Sequence, residues 1–354
     1  MNQSVQLPES RVSELRDAWR NLQQEQPGLR IRNAAEMLGV SEMELLVSGA
    51  PDKVVRLQSR CGDLLRQLEA LGPVMTLARN DQVVHETTGM VRDFKVTAQG
   101  NMGLCLGEID LRVFFKHWEH AYAVSEPQAE GAIRQSLQIF SPAGDAIFKI
   151  YRVTETDGTA WNNLVAEFRS DEQRPALQLQ SRMPFQRKRD STTDWVGLQH
   201  DWSQLEDVHQ FHALLNRYGV DRLSALENID TRWARRAHPD SLERLLQRAA
   251  TTATPLMLFV GNPGVVQIFT GTVHKLLRTG PWFNVLDPHF NLHANTHQIA
   301  STWIVVRPST DGDITSLECF SDKGELVLTV FGERKPGKPE LESWRERIAE
   351  VEQP

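Results

Sequence analysis

Cysteine is scarce in this 354-residue sequence, with three in all. Cys61, Cys105 and Cys319 are odd in number, far apart and in no C-x-x-C pair, so neither a disulfide framework nor a thiolate zinc site is indicated. Long apolar runs are absent too. No stretch of about 18 apolar residues exists, so no membrane-spanning helix is expected. The opening MNQSVQLPESRVSELRDAW lacks an apolar h-region and a small-residue cleavage site, so no secretion signal is read. The expected location is the reducing cytoplasm. Positive charge does not dominate: 39 Lys and Arg against 46 Asp and Glu give a net charge of −7, whose field does not draw nucleic acid. Hydrophobic residues at 40% supply a core larger than one common domain needs.

What the chain does have is a copy of itself. Residues 74–89 read VMTLARNDQVVHETTG and residues 256–271 read LMLFVGNPGVVQIFTG, sharing L-x-x-x-N-x-x-V-V-x-x-x-x-G. His85 falls on Gln267, a shift of 267 − 85 = 182. Further on, SLQIFSPAGD at 136–145 matches SLECFSDKGE at 316–325, a shift of 316 − 136 = 180. Trp161 and Trp344 then open amphipathic segments in the two copies. Each copy reads as helical sequence, then strands with a tight hairpin, then a helix. The fold class expected is α+β, a tandem duplication of a domain with a large antiparallel sheet flanked by helices. The expected division is 1–169 for the first repeat, 170–195 for a polar linker and 196–354 for the second. Arg187-Lys188-Arg189 in the linker reads as a solvated basic triplet.

One segment carries chemistry. Residues 203–219, SQLEDVHQFHALLNRYG, read as one helix, with Ser203 and Glu206 as a capping box and Gly219 as its stop. Leu205, Val208, His212 and Leu215 fall on one face, and His209 and His212 share a side. Imidazole is a common metal ligand, and haem iron takes a proximal histidine in many proteins. The opposing reading is a packed core histidine. H-x-x-H is not H-E-x-x-H, so a zinc peptidase is not indicated. A second segment, RIRNAAEMLGVSEMELL at 30–46, has the outline of a helix-turn-helix, with Gly39-Val40-Ser41 as turn and cap. Its second helix is acidic and short of base-reading side chains. His117, His120, His289, His293 and His297 read as surface or pocket-lining, and Trp118, Trp161, Trp303 and Trp344 as core.

The stretches DVHQF at 207–211, FVGNPGVVQIFTG at 259–271, RPSTDGDITSLECF at 307–320 and GEIDLRVFFKHW at 107–118 together resemble the hemin-degrading factor family. These are the cytoplasmic haem-transport and haem-degradation proteins of Gram-negative bacteria, and the chain closely resembles the pseudomonad haem-trafficking members. The resemblance covers nearly the whole chain. It implies that haem b (iron protoporphyrin IX) is bound in the second half, with His209 on the iron. It also implies Arg112 as a distal arginine, and Arg222, Arg307, Arg334 and Phe259 as propionate and pocket residues. His85, in NDQVVHE, matches a position given a second haem site in some members. A bare strand histidine is the alternative.

This sequence departs from the family twice. His212 stands where enteric members often have an apolar residue, giving an alternate iron ligand. Phe331 stands where some relatives have tyrosine. No C-x-x-C-H run or Cys-Pro dipeptide occurs, so haem would be held without a covalent bond. The first functional expectation is a carrier that sequesters imported haem and hands it to a haem oxygenase, with the cytoplasmic side of a haem ABC transporter as a further partner. The second is an enzyme that opens the porphyrin ring itself. The third is a haem-responsive regulator that binds DNA through 30–46.

Overall fold

Short runs of Val, Ile, Leu and Phe with polar residues at alternate positions form the strands, and segments of 3.6-residue periodicity form the helices. A computed structural model of the chain describes residues 9–49, 53–128, 131–173, 179–188, 192–335 and 337–352. The strands form two large antiparallel sheets flanked by helices, as the α+β duplication implied. By contacts the chain divides into two units. The first holds residues up to Ala78, then Glu86–Met183 and Asn262–Val266. The second holds Arg79–His85, Pro184–Gly261 and everything from Gln267. Each unit therefore includes a short segment from the other half of the sequence.

The first unit begins with three helices, α1 (Glu9–Glu25), α2 (Ile31–Leu38) and α3 (Glu42–Gly49). Then come β1 (Val54–Leu57), α4 (Cys61–Gln67), β2 (Val74–Arg79), β3 (Val83–Gly89), β4 (Lys95–Val96), β5 (Met102–Cys105) and β6 (Asp110–Phe114). It closes with β7 (His120–Pro127), β8 (Ile133–Phe140), β9 (Ala146–Arg152) and α5 (Gly158–Phe168). The strand order is β1-β7-β8-β9-β2-β3, with β6, β5 and β4 paired in a separate run. Trp161, Leu164 and Phe168 of α5 are buried in the core with Leu64, Leu65 and Ile150.

The second unit repeats this. It holds α6 (Trp195–Ser203), α7 (Gln210–Arg217), α8 (Arg222–Asn228), β10 (Ala234–Ala237), α9 (Ser241–Thr252), β11 (Leu256–Asn262) and β12 (Val265–Gly271). β13 (Leu276–Thr279), β14 (Trp282–Leu286), β15 (Phe290–Asn295), β16 (Ser301–Arg307), β17 (Ile314–Phe320), β18 (Leu326–Gly332) and α10 (Glu342–Glu352) follow. The order β10-β16-β17-β18-β11-β12 matches the first unit strand for strand. Even an irregularity is copied: the register shifts between Ile139 and Phe140 in one copy and between Cys319 and Phe320 in the other, 319 − 139 = 180.

The duplication extends to the helices. Gly39 (φ 66°) ends α2 and Gly219 (φ 65°) follows α7, and 219 − 39 = 180. Both positions need a left-handed backbone, which glycine adopts without a Cβ clash. The same shift sets α3 against α8, and Arg222 against Glu42. The helix-turn-helix outline at 30–46 is therefore the first copy's version of the α7–α8 pair. Its geometry is as read: Ser41 Oγ accepts from Glu44 N (3.1 Å) while Glu44 Oε2 accepts from Ser41 N (2.7 Å). Its proposed use is not supported. Glu42, Met43, Leu45, Leu46, Val47 and Ser48 are all buried, so α3 has no face to lay in a groove.

The asparagine shared by the two copies of the repeat skeleton stitches each short segment into its unit. In the second unit, Asn80 Nδ2 donates to Gly261 O (3.1 Å) and Val327 O (2.8 Å), and its Oδ1 accepts from Val83 N. In the first, Asn262 Nδ2 donates to Ile147 O (2.8 Å) and its Oδ1 accepts from Gly264 N and Val265 N. Gly264 O in turn accepts from Phe114 N and from Trp118 Nε1.

Candidate functional site

The histidine-bearing segment is not one helix. α6 ends at Ser203, whose hydroxyl donates to His200 O instead of capping a new start, and α7 begins only at Gln210. Asp and Gln side chains cause the break by competing for backbone amides. Asp207 Oδ1 accepts from His209 N (2.8 Å), and Gln210 Oε1 accepts from Glu206 N and Asp207 N. Thr310 N donates to Glu206 O, tying this turn to the β16–β17 loop. The break lets Trp202 meet Phe211 edge to face at 4.6 Å, a contact worth about 0.5–1.5 kcal/mol beyond area burial. Gly219 remains the stop.

The faces differ accordingly from the stripe read above. Phe211, Leu214 and Leu215 are buried, together with Leu205, whereas His212 is exposed. His209 stands just before the first residue of α7 with its side chain 90% exposed, so it is no core histidine. Its Nδ1–H donates to Asp207 Oδ1 at 2.6 Å. Asp207 is held below the usual carboxylate range by the His209 backbone amide first, and by the His209 ring. That bond fixes the tautomer and leaves the lone pair on Nε2, the arrangement of a metal-binding imidazole with a carboxylate behind it.

Beneath α7 lies a cationic cluster. Arg222 Nε donates to Glu318 Oε2 (2.7 Å) and its Nη2 to Oε1 (2.6 Å). Arg307 Nη2 donates to the same Oε1 (2.6 Å) and to Ser316 Oγ (2.6 Å). Both guanidiniums lie over the Phe211 ring, at 5.1 and 5.0 Å from its centroid. Arg307 also sits 5.5 Å from the Phe331 ring, which meets Phe259 edge to face at 5.2 Å. Burial pushes Arg307 down to about 10 despite Glu318, with Arg222 and Arg334 adding to the fall. Burial pushes Glu318 up, but the two arginines outweigh it and hold the group below its ordinary value. Arg334 is 3.9 Å from Asp311, and its buried Nε has no partner among the described residues.

Four of the sequence candidates, Arg222, Phe259, Arg307 and Arg334, thus share the second unit with His209. Glu318, which organises two of them, was missed. The signal available was a glutamate inside the apolar run SLECF where the first copy has Gln138. Arg112 lies in the first unit on β6, its Nη1 donating to Asp110 and to Leu111 O (3.1 Å), with about a third of the side chain exposed. His85 has no exposure. Its ring packs on Phe290 at 5.0 Å and shares a hydrogen bond with the Gln267 backbone.

The basic triplet is only partly solvated. Arg187 bonds Asp221, Ser224 and Glu227 of the α8 segment, while Arg189 lies outside the described residues. Segment 281–310 is strand-rich as read, and Trp118, Trp161 and Trp344 are buried. Among the described residues no group of three or more His, Cys, Asp or Glu is placed to hold a metal ion, and no helix is long and apolar enough to cross a membrane.

The chain is thus a two-copy α+β protein with an exposed, carboxylate-backed histidine in the same unit as an arginine cluster. The chain belongs to the haemin-degrading HemS.ChuX domain family, whose model matches it twice, at residues 39–168 and 219–351. It is 36% identical over 327 residues to the hemin transport protein HmuS of Yersinia pestis, covering 92% of this chain and 94% of that one. Holo-PhuS, a haem-binding protein from Pseudomonas aeruginosa, superposes with a TM-score of 0.92 at 42% identity, over 96% of this chain and 99% of that one. ChuS, an E. coli haem oxygenase, does so with a TM-score of 0.85 at 32% identity and the same coverage.

Proposed function

We propose that this chain is a cytoplasmic haem-binding protein that holds haem b on His209 and passes it to a haem oxygenase. The observation that carries the reading is the His209–Asp207 pair: an imidazole with one nitrogen spoken for and the other in the open. Haem iron accepts such a nitrogen, and the porphyrin's two carboxylates need cations. The residues fit that group. Arg334 has an orphaned Nε, and Arg222 keeps a part-exposed side chain. When bound, haem supplies an iron centre; the chain's own part is to present Nε2, to anchor α7 through Phe211 and to counter carboxylate charge. His212, exposed one turn further along α7, serves as the alternate ligand. Arg112 keeps the role of donor toward haem that the family resemblance gives it. His85, with no exposure, has no part in the site.

Transport is favoured over degradation by the likeness at 42% and 36% identity to proteins described as binding and transporting haem, against 32% for the oxygenase. Ring opening by the chain itself is the second reading, supported by that oxygenase likeness. The test is a haemin titration followed by ascorbate and oxygen, with and without catalase. A Soret band that saturates at one equivalent, is lost in a His209→Ala/His212→Ala variant and stays intact under catalase supports the carrier. A biliverdin-like product formed with catalase present replaces it with the enzyme.

A further inference from the structure

We propose that Glu318 is a resident competitor for the carboxylates of the bound ligand, and so sets how readily that ligand leaves. This rests on the haem-binding reading and deepens it. Arg222 and Arg307 both meet Glu318, and Arg334 lies against Asp311 with Asp207 and Glu340 also within its field. A guanidinium that keeps part of its surface open attracts a carboxylate. Yet Arg222 has already given one edge of its fork to both oxygens of Glu318. Glu318 has no exposure, so water does not screen it. A ligand carboxylate that reaches Arg222, whose side chain is 27% exposed, therefore meets a guanidinium whose charge is already largely answered. It also meets the repulsion of a second carboxylate in a low-dielectric setting.

The repeat shows that the strand does not require this charge. The position equivalent to Glu318 in the first copy is Gln138, since 318 − 180 = 138. Gln138 is buried and donates to Ser136 Oγ at 3.0 Å, just as Ser316 accompanies Glu318. The same fold position thus works with a neutral amide. A glutamate here serves the arginines rather than the sheet.

The experiment compares haemin with haemin dimethyl ester, which keeps the iron and ring but loses both carboxylates. Dissociation is followed by transfer of bound haem to an excess of a scavenger. In Glu318→Gln, haemin should bind about tenfold tighter, the worth of one charge-assisted hydrogen bond, while the ester changes by less than about twofold. Haemin held no tighter, or both ligands shifting together, would overturn the proposal, because a merely structural effect moves haemin and its ester alike. Should Glu318→Gln fail to fold with two uncompensated guanidiniums, two further variants decide. Arg307→Met leaves Arg222 fully answered by Glu318, so the preference for haemin over its ester should fall to the part that Arg334 supplies. Adding Glu318→Gln to it should restore the preference through Arg222. A preference that survives undiminished in Arg307→Met sinks the idea. A wild-type chain that binds neither ligand ends the haem reading itself, a different failure.

Discussion

Replacing His85 by glutamine should remove much of the chain's loss of stability in mild acid. Burial pushes the His85 imidazole from its ordinary 6.5 down to about 3. The unfolded chain then binds a proton near pH 6.5 that the native chain refuses, so protonation favours unfolding. The sign follows: stability is full above pH 6.5, falls as pH drops from there, and levels off only near 3. Each unit is worth about 1.36 kcal/mol, so going from 6.5 to 5.0 costs about 2 kcal/mol through this one ring. Glutamine is the residue to use because Gln267 occupies the equivalent place in the second copy, also with no exposure. Urea unfolding of both proteins at pH 7.5 and pH 5.0 isolates the effect, since every other acid-sensitive group is common to the two. The variant should lose about 2 kcal/mol less across that interval. Equal losses would refute the reasoning, and would mean the ring gains a solvent path in the native state.

Other outcomes follow from the same geometry. His209→Ala should still give histidine-ligated haem, carried by the exposed His212, and a visible spectrum without a histidine-ligated species would exclude that alternate ligand. Gly264→Ala should destabilise the chain by about 1–3 kcal/mol in a denaturant titration, because the added methyl would lie 2.4 Å from Ile147 Cγ2 and 2.9 Å from Trp118 Nε1. A variant as stable as wild type would show that this approach relaxes freely. Phe211→Leu removes the Trp202 contact and the ring beneath two guanidiniums, and should cost about 2–4 kcal/mol. An unchanged denaturation midpoint would mean that α7 is anchored by something else.

The fold was legible because the duplication left its marks at the level of residues. Two asparagines, two glycines after helices and two matched hairpins are local requirements, and local requirements survive as letters. His209 was legible for the same reason, since DVHQF is a contiguous run. The helix boundary was not. Periodicity reports which residues face the core, but the break at 204–209 is made by Asp207 and Gln210 taking backbone amides, which periodicity does not register. The arginine cluster was half legible. Arg222, Arg307 and Arg334 were named through the family resemblance, but the counter-charge that Arg222 and Arg307 share comes from a strand 11 residues beyond Arg307 and 96 beyond Arg222. Such a partner emerges only when β16, β17 and α8 are brought together. The helix-turn-helix outline shows the converse: its letters gave the local geometry correctly, and only tertiary burial of α3 shows that it is scaffold.

The reciprocal hairpin segments tie the fates of the two halves. Residues 79–85 are encoded in the first copy but belong to the unit that bears His209, and 262–266 are encoded in the second but belong to the other. Severing the chain between Met183 and Pro184 would therefore not yield two self-sufficient pieces, because each piece would lack a strand tip its own core is built around. The same exchange couples inheritance. A substitution at Asn80 acts on the strands of the unit that carries His209 through Gly261 and Val327, although it is written in the other copy. After such a duplication neither copy is free to drift alone, and the first persists as a structural guarantor of the second whether or not it ever touches a ligand.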